Sequence, residues 1–148
     1  MVQQLDLITI VQKIPGKQKL LQEVKERLVT ENFIYPDKKF LYFDVKRIQR
    51  MMKPIFKKLN LDVTILQAWV HVMEPGASHL IHDHADDTGV YYLEALKDSG
   101  NLIFEDYDIE IPVEEDRFVL VRGKEKHSIT KNKTKFQRIT LAFSMEKK

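Results

Sequence analysis

The 148-residue sequence contains no cysteine, which excludes disulfide bonds, thiolate metal sites and cysteine nucleophiles together. It also lacks any apolar run close to the roughly 20 residues that a membrane-spanning helix needs. The N-terminal stretch has Asp6 where a secretory signal is apolar, and it has no small-residue cleavage site. We therefore expect a cytoplasmic protein that has no membrane partner.

Length and composition predict one domain that spans residues 1–148. Hydrophobic residues make up 43% of the chain and charged residues 31%, which is typical of a folded globular protein. Residues 1–61 carry a net charge of +7 and residues 62–148 a net charge of −5. The basic half offers a surface for an acidic partner, but a solvated helix face explains it more simply, so nucleic acid is an unlikely partner.

Residues 1–62 read as a support region of helices and short strands. Apolar residues recur with helical spacing from Lys17 to about Thr30, and short strands are predicted at 7–11 and 40–43. Asp44 is a suitable cap for a second helix, which Pro54 should kink or split. One face of that helix is apolar, and the other carries Lys46, Arg47, Arg50, Lys53 and Lys57.

From residue 63 the pattern changes to short segments rich in β-branched and aromatic residues. Turn residues such as Pro75-Gly76, Ser99-Gly100 and Arg122-Gly123 separate them. Several short strands at close spacing indicate a sandwich or barrel. The segments are VTILQAWVHVM, TGVYYLEAL, NLIFEDY, RFVLVR and RITLAFS.

Three of the five histidines lie in the segment HLIHDH. On a strand, residues two apart face the same side, so His82 and His84 can direct two imidazoles to one point. Imidazole suits iron, copper, nickel and zinc. Histidines beside acids are also common on ordinary surfaces. A metal site is favoured because the lone His127 follows an apolar strand, and Arg138 opens another strand eleven residues later.

In order and spacing, the motifs over residues 63–144 resemble the 2-oxoglutarate- and Fe(II)-dependent oxygenases, in particular small oxygenases related to prolyl hydroxylases. The resemblance rests on motifs that recur in that family in the same order. They are Trp69, Gly76, His82-Asp83-His84, Gly89-Val-Tyr-Tyr-Leu, Ser99-Gly100, His127 and Arg138-Ile-Thr140. It implies a mainly β fold with flanking helices, a double-stranded β-helix of the jelly-roll or cupin-like type.

The resemblance also implies a set of site residues. Fe(II) would be bound by His82, His84 and His127, with no further catalytic residue beyond the metal centre. Arg138 would pair with the distal carboxylate of the cosubstrate 2-oxoglutarate, assisted by Thr140 and Tyr92. The expected activity uses O2 to hydroxylate a peptide side chain or a small molecule, while 2-oxoglutarate is decarboxylated to succinate.

Two alternatives stay open at this point. The family's usual second ligand is a carboxylate, and His84-Ala-Asp86 is itself an H-x-D motif, so Asp86 can replace His84 in the ligand set. A cupin, either a metal-dependent enzyme or a metal-binding module, would use the same barrel and the same histidines. Thr88 and Gly89 stand where a cupin has its glutamate, which favours the oxygenase.

Substrate specificity has no recognisable code in the sequence. We expect it to depend on the segments 31–43 and 105–117, because loops and flanking elements decide specificity in such folds. His79 and Trp69 are further candidates for residues that line the pocket.

Overall fold

The computed structural model describes residues 7–33 and 38–148. Two α-helices and ten strands lie within these ranges. The helices are α1 (Lys17–Thr30) and α2 (Val45–Lys58). The strands are β1 (Ile8–Val11), β2 (Lys38–Phe43), β3 (Val63–Met73), β4 (His79–His82), β5 (Asp87–Glu94), β6 (Leu102–Phe104), β7 (Ile109–Ile111), β8 (Arg117–Val121), β9 (His127–Ile129) and β10 (Arg138–Lys147).

The strands form two antiparallel sheets. The larger sheet has the order β1-β8-β5-β10-β3-β2, and the smaller has the order β4-β9-β6-β7. Strand β10 is the central partner in the larger sheet, where it pairs with β3 on one side and β5 on the other. This arrangement confirms the predicted mainly β fold with flanking helices.

Both predicted helices form. α1 begins after Gly16, whose φ of +77° lies in the left-handed region that favours glycine. α2 is capped by Asp44, whose side chain accepts a hydrogen bond from the backbone N–H of Lys46. Of the two outcomes predicted at Pro54, a kink or a split, the split does not occur, because α2 continues through this residue. Because proline has no N–H, Pro54 leaves one backbone carbonyl of the preceding turn without its helical hydrogen bond. Pro54 is exposed, so this turn faces solvent.

Alternation along β10 gives the larger sheet two different faces. Ile139, Leu141 and Phe143 belong to the apolar core that α1 and α2 cover. Arg138, Thr140 and Ala142 point to the opposite face, where they line a cavity. The helices thus close one face of the sheet, and its other face is left for the site.

β6 and β7 form an antiparallel hairpin at the end of the smaller sheet, joined by a short 3-10 turn over Glu105–Tyr107. Neither described helix has the length and apolar character that crossing a bilayer requires.

Candidate active site

The three predicted metal ligands converge although they come from separate parts of the chain. His82 ends β4 and His127 begins β9, and the two residues are paired directly across these strands. Their ring centroids lie 4.2 Å apart, and the ring of His84 lies 5.0 Å from His82 and 5.3 Å from His127. One nitrogen from each ring lies within 4.8 Å of the other two.

The sequence pattern predicted that both histidines of the H-x-H pair lie on one strand, but they do not. β4 ends at His82, and His84 is in the turn that follows. Two contacts hold this turn beside β8: the Lys124 N–H donates to the His84 carbonyl, and the Gly123 N–H donates to the Asp87 carboxylate. The convergence of His82 and His84 therefore depends on the turn rather than on strand alternation.

Backbone hydrogen bonds orient two of the three imidazoles. Nδ1 of His82 lies 2.8 Å from the Leu80 carbonyl oxygen, and Nδ1 of His127 lies 2.9 Å from that of Glu125. A carbonyl only accepts, so each Nδ1 carries the proton and each Nε2 keeps its lone pair. Metal-binding histidines in proteins are commonly oriented by such second hydrogen bonds.

Burial favours the neutral form of two of the imidazoles, His127 and His84. It lowers the pKa of His127 to about 4, and the nearby His82 and His84 act in the same direction. Burial and the adjacent His82 also lower the pKa of His84. A neutral imidazole is the form that binds metal, so these rings need not lose a proton at neutral pH.

Asp86, the alternative second ligand, is exposed and is not part of the cluster. A Cβ on Gly123 would come within 2.7 Å of the Ala85 carbonyl oxygen, so the turn packs tightly against this glycine. The packing orders the chain between His84 and Asp87. The geometry therefore favours His84 over Asp86.

Arg138 is buried in the same cavity and is only 1% exposed. Its Nη1 donates to the Gly100 carbonyl at 2.8 Å, and its guanidinium carbon lies 5.4 Å from the Tyr92 ring centre. Its Nε is buried without a hydrogen-bond partner. Within residues 7–33 and 38–148, no carboxylate forms an ion pair with Arg138. Glu94, at the end of β5, pairs with Lys25.

Gly100 allows the guanidinium to reach this position. Its φ of +121° is one that side chains rarely adopt, and an added Cβ would lie 3.0 Å from Nη1 of Arg138 and 2.6 Å from Met73. Gly100 was recognised in the sequence as part of the Ser99-Gly100 pair, but its contact with Arg138 was not predicted.

The other two predicted cosubstrate residues lie beside Arg138. Thr140 follows it on the same strand face, and its buried hydroxyl has no hydrogen-bond partner. Tyr92 is paired with Thr140 across β5 and β10, and burial raises the pKa of its phenol, so the ring is neutral. The predicted role of Tyr92 as a donor to a carboxylate stays a prediction.

A cavity of about 560 Å³ joins these groups. All five histidines of the chain line it, together with Arg138, Thr140 and Tyr92. It is within the range of about 300–1,000 Å³ that encloses small ligands. Trp69 and His79 line it, as the sequence suggested, whereas no residue of 105–117 does. Phe40 and Tyr42 also line it and lie in the segment 31–43 that was expected to set specificity, whereas His71 was not predicted. Alternation along β2 and β3 was the available signal for these individual residues.

The site fits a metal and a dicarboxylate. Three neutral imidazoles suit a divalent transition metal better than Mg²⁺ or Ca²⁺, which prefer oxygen ligands. A buried guanidinium with an unpaired Nε and a neighbouring unpaired hydroxyl suit a carboxylate.

No family profile and no curated protein matches the chain. Solved structures do match it. The collagen prolyl hydroxylase of Paramecium bursaria Chlorella virus-1, in complex with 2-oxoglutarate, superposes with a TM-score of 0.72 at 13% identity, over 96% of each chain. A prolyl-4-hydroxylase from Pseudomonas putida matches with a TM-score of 0.70 at 17% identity, over 96% of this chain and 92% of its own.

HygX from Streptomyces hygroscopicus, solved with nickel and 2-oxoglutarate, matches with a TM-score of 0.68 at 11% identity, over 95% of this chain and 82% of its own. These identities are low, and the agreement is one of fold. The chain therefore has the double-stranded β-helix fold of the 2-oxoglutarate- and Fe(II)-dependent oxygenases, the superfamily that its motifs resemble.

Proposed function

We propose that this protein is a non-haem Fe(II)- and 2-oxoglutarate-dependent oxygenase that hydroxylates a peptide side chain or a small molecule. The observation that carries the proposal is the buried Arg138, which has an unpaired Nε and no acidic partner among the described residues and lines the same cavity as the histidine cluster. A charge in such a place is costly unless a ligand pairs with it. A metal-binding module or a cupin has no need for this cation.

His82, His84 and His127 would hold the iron, His82 and His127 through their Nε2 atoms. When bound, Fe(II) supplies the redox chemistry by which O2 oxidises both 2-oxoglutarate and the substrate. In the balanced reaction, 2-oxoglutarate, O2 and a substrate C–H bond give succinate, CO2 and a C–OH group. One oxygen atom of O2 enters succinate and the other enters the C–OH group. We propose that the reaction takes place in the cytoplasm.

The residues of the chain position the reactants. Arg138 and Thr140 would bind the distal carboxylate of 2-oxoglutarate. The guanidinium of Arg138 also lies over the ring of Tyr92. The Gly100 carbonyl fixes one end of that guanidinium, so the remaining N–H groups are already oriented when the cosubstrate enters.

The test measures 2-oxoglutarate binding and its conversion to succinate. Purified protein is freed of metal, loaded with Fe(II) under nitrogen, mixed with 2-oxoglutarate and exposed to air. We expect succinate to form slowly even without substrate, and only when metal is present. His82→Ala should abolish succinate formation. Metal binding without any binding of 2-oxoglutarate would overturn the proposal and favour the cupin interpretation.

A further inference from the structure

The part of the cavity formed by β2 and β3 differs from the part around Arg138. Phe40 and Tyr42 on β2 lie beside His71 and Trp69 on β3, on the face of the larger sheet that lines the cavity. We call Phe40, Tyr42 and Trp69 the aromatic wall. Tyr42 is 58% exposed and Phe40 38% exposed, so large ring surfaces face solvent at the cavity mouth.

A row of rings connects the aromatic wall to the histidine cluster. Phe40 stacks on His71 with centroids 4.8 Å apart, His71 lies 4.4 Å from His79, and His79 lies 6.0 Å from His82. The contact between His71 and His79 joins β3 of one sheet to β4 of the other. A ligand resting on the wall would therefore extend along these rings toward the proposed metal site.

Charge decides which ligand suits the wall. Among the described residues that line the cavity there is no lysine, aspartate or glutamate, and Arg138 is the one arginine. Ala142 lies beside Trp69 on β10, and Arg138 is four residues further along that strand, or about 13 Å. A charged group at the wall would therefore gain no counter-charge from these described residues.

The shape of the wall favours a flat group. Tyr42 and Trp69 are directly paired neighbours on adjacent strands, so their side chains stand side by side. Beyond them the row continues with the smaller Ala142 and Val90, which leaves space above the sheet. From the other sheet, the exposed Leu80 and Ile81 line the same cavity. Rings on one side and aliphatic groups on the other suit a planar, uncharged ligand.

We infer that the aromatic wall is the substrate-binding surface, and that it selects an uncharged substrate carrying an aromatic ring. This inference rests on the proposed function, because it names the substrate class of that site. Tyr42 and Trp69 are its specificity-determining residues, and Phe40 extends the surface.

The test uses Trp69, the single tryptophan of the chain, as a fluorescent reporter in the wall. Protein loaded with Zn(II) and 2-oxoglutarate, which does not turn over, is titrated with capped pentapeptides of glycine that carry one central phenylalanine, leucine, lysine or glutamate. Phenylacetamide tests a free aromatic compound. We expect the phenylalanine peptide or phenylacetamide to bind at least about tenfold more tightly than the other three peptides. Which of the two binds better distinguishes a peptide substrate from a small molecule.

Tyr42→Ala should weaken binding of the ring probe by about tenfold and leave binding of 2-oxoglutarate unchanged. Phe136→Ala is the matched control, because Phe136 is an equally exposed ring that does not line the cavity. Equal binding of the leucine and phenylalanine peptides, no binding of either ring probe, or an unchanged Tyr42→Ala variant would overturn the inference. Titration of the Zn(II)-loaded protein with each ligand separately distinguishes the two proposals, since a protein that binds the metal and the ring probe but not 2-oxoglutarate would contradict only the proposed function.

Discussion

Replacing Arg138 with methionine should abolish cosubstrate binding without unfolding the protein. The wild-type guanidinium is 1% exposed, has one hydrogen bond to the Gly100 carbonyl and contacts the Tyr92 ring. Two charge-assisted hydrogen bonds to a carboxylate, at roughly 1.5–3 kcal/mol each, stabilise the complex by roughly 3–6 kcal/mol. Their loss should weaken binding of 2-oxoglutarate by about two to four orders of magnitude.

The same change should leave the ligand-free protein as stable as the wild type, or more stable. A buried charge without an ionic partner costs several kcal/mol in lost hydration, and apolar replacements of such groups are often neutral or stabilising by roughly 1–4 kcal/mol. The lost bond to Gly100 and the lost contact with Tyr92 offset part of this gain. We therefore expect an unchanged or higher melting temperature for Arg138→Met in the absence of 2-oxoglutarate.

Calorimetric titration and thermal unfolding together give both quantities. In wild-type protein loaded with Zn(II), 2-oxoglutarate at 100 times its Kd should add about 2.7 kcal/mol of stability, and in Arg138→Met it should add none. Arg138→Lys should also bind poorly, because an ammonium cannot grip both carboxylate oxygens. Arg47→Met is the control, since Arg47 pairs with Glu23 on the helical side of the sheet. Equal affinities, or a variant destabilised by more than about 2 kcal/mol, would refute the reasoning.

Three further predictions concern the histidine cluster. His82→Ala should lose bound metal, as measured by elemental analysis. Asp86→Ala should keep the metal, and His84→Asp should keep it or bind it better. Loss of metal in Asp86→Ala would identify that carboxylate as the ligand. Gly123→Ala should lower the metal affinity, because the new Cβ displaces the Ala85 carbonyl and the turn that carries His84. Circular dichroism should show an unchanged fold. An unchanged metal affinity would show that the turn adapts freely. Metal-free protein should lose stability as the pH falls from 6.5 toward 4, because the unfolded chain protonates His127 in this window and the folded chain does not. Denaturant titrations at several pH values should show a flatter dependence for His127→Gln, and identical slopes would contradict the buried neutral imidazole.

Much of the fold was predictable because local patterns are strong in this chain. Helical spacing predicted α1 with its observed bounds, Asp44 marked the start of α2, and the run from 63 to 73 is β3 without change. The predicted ligands His82, His84 and His127 were identified by residue type and by their order along the chain. These signals are local, since spacing, caps and turn residues act within a few positions.

The sequence by itself thus determined most of the elements, the fold class and the candidate site residues. Only the tertiary structure decided how they meet. His84 joins the cluster through a turn held by Gly123 and Asp87, and strand alternation plays no part in it. Pairing between strands distant in the chain decides the burial of Arg138, which has no acidic partner in the part of the chain that the structure describes. It also decides the aromatic wall that Tyr42 forms with Trp69. Such contacts follow from sheet order and register, which no local pattern encodes.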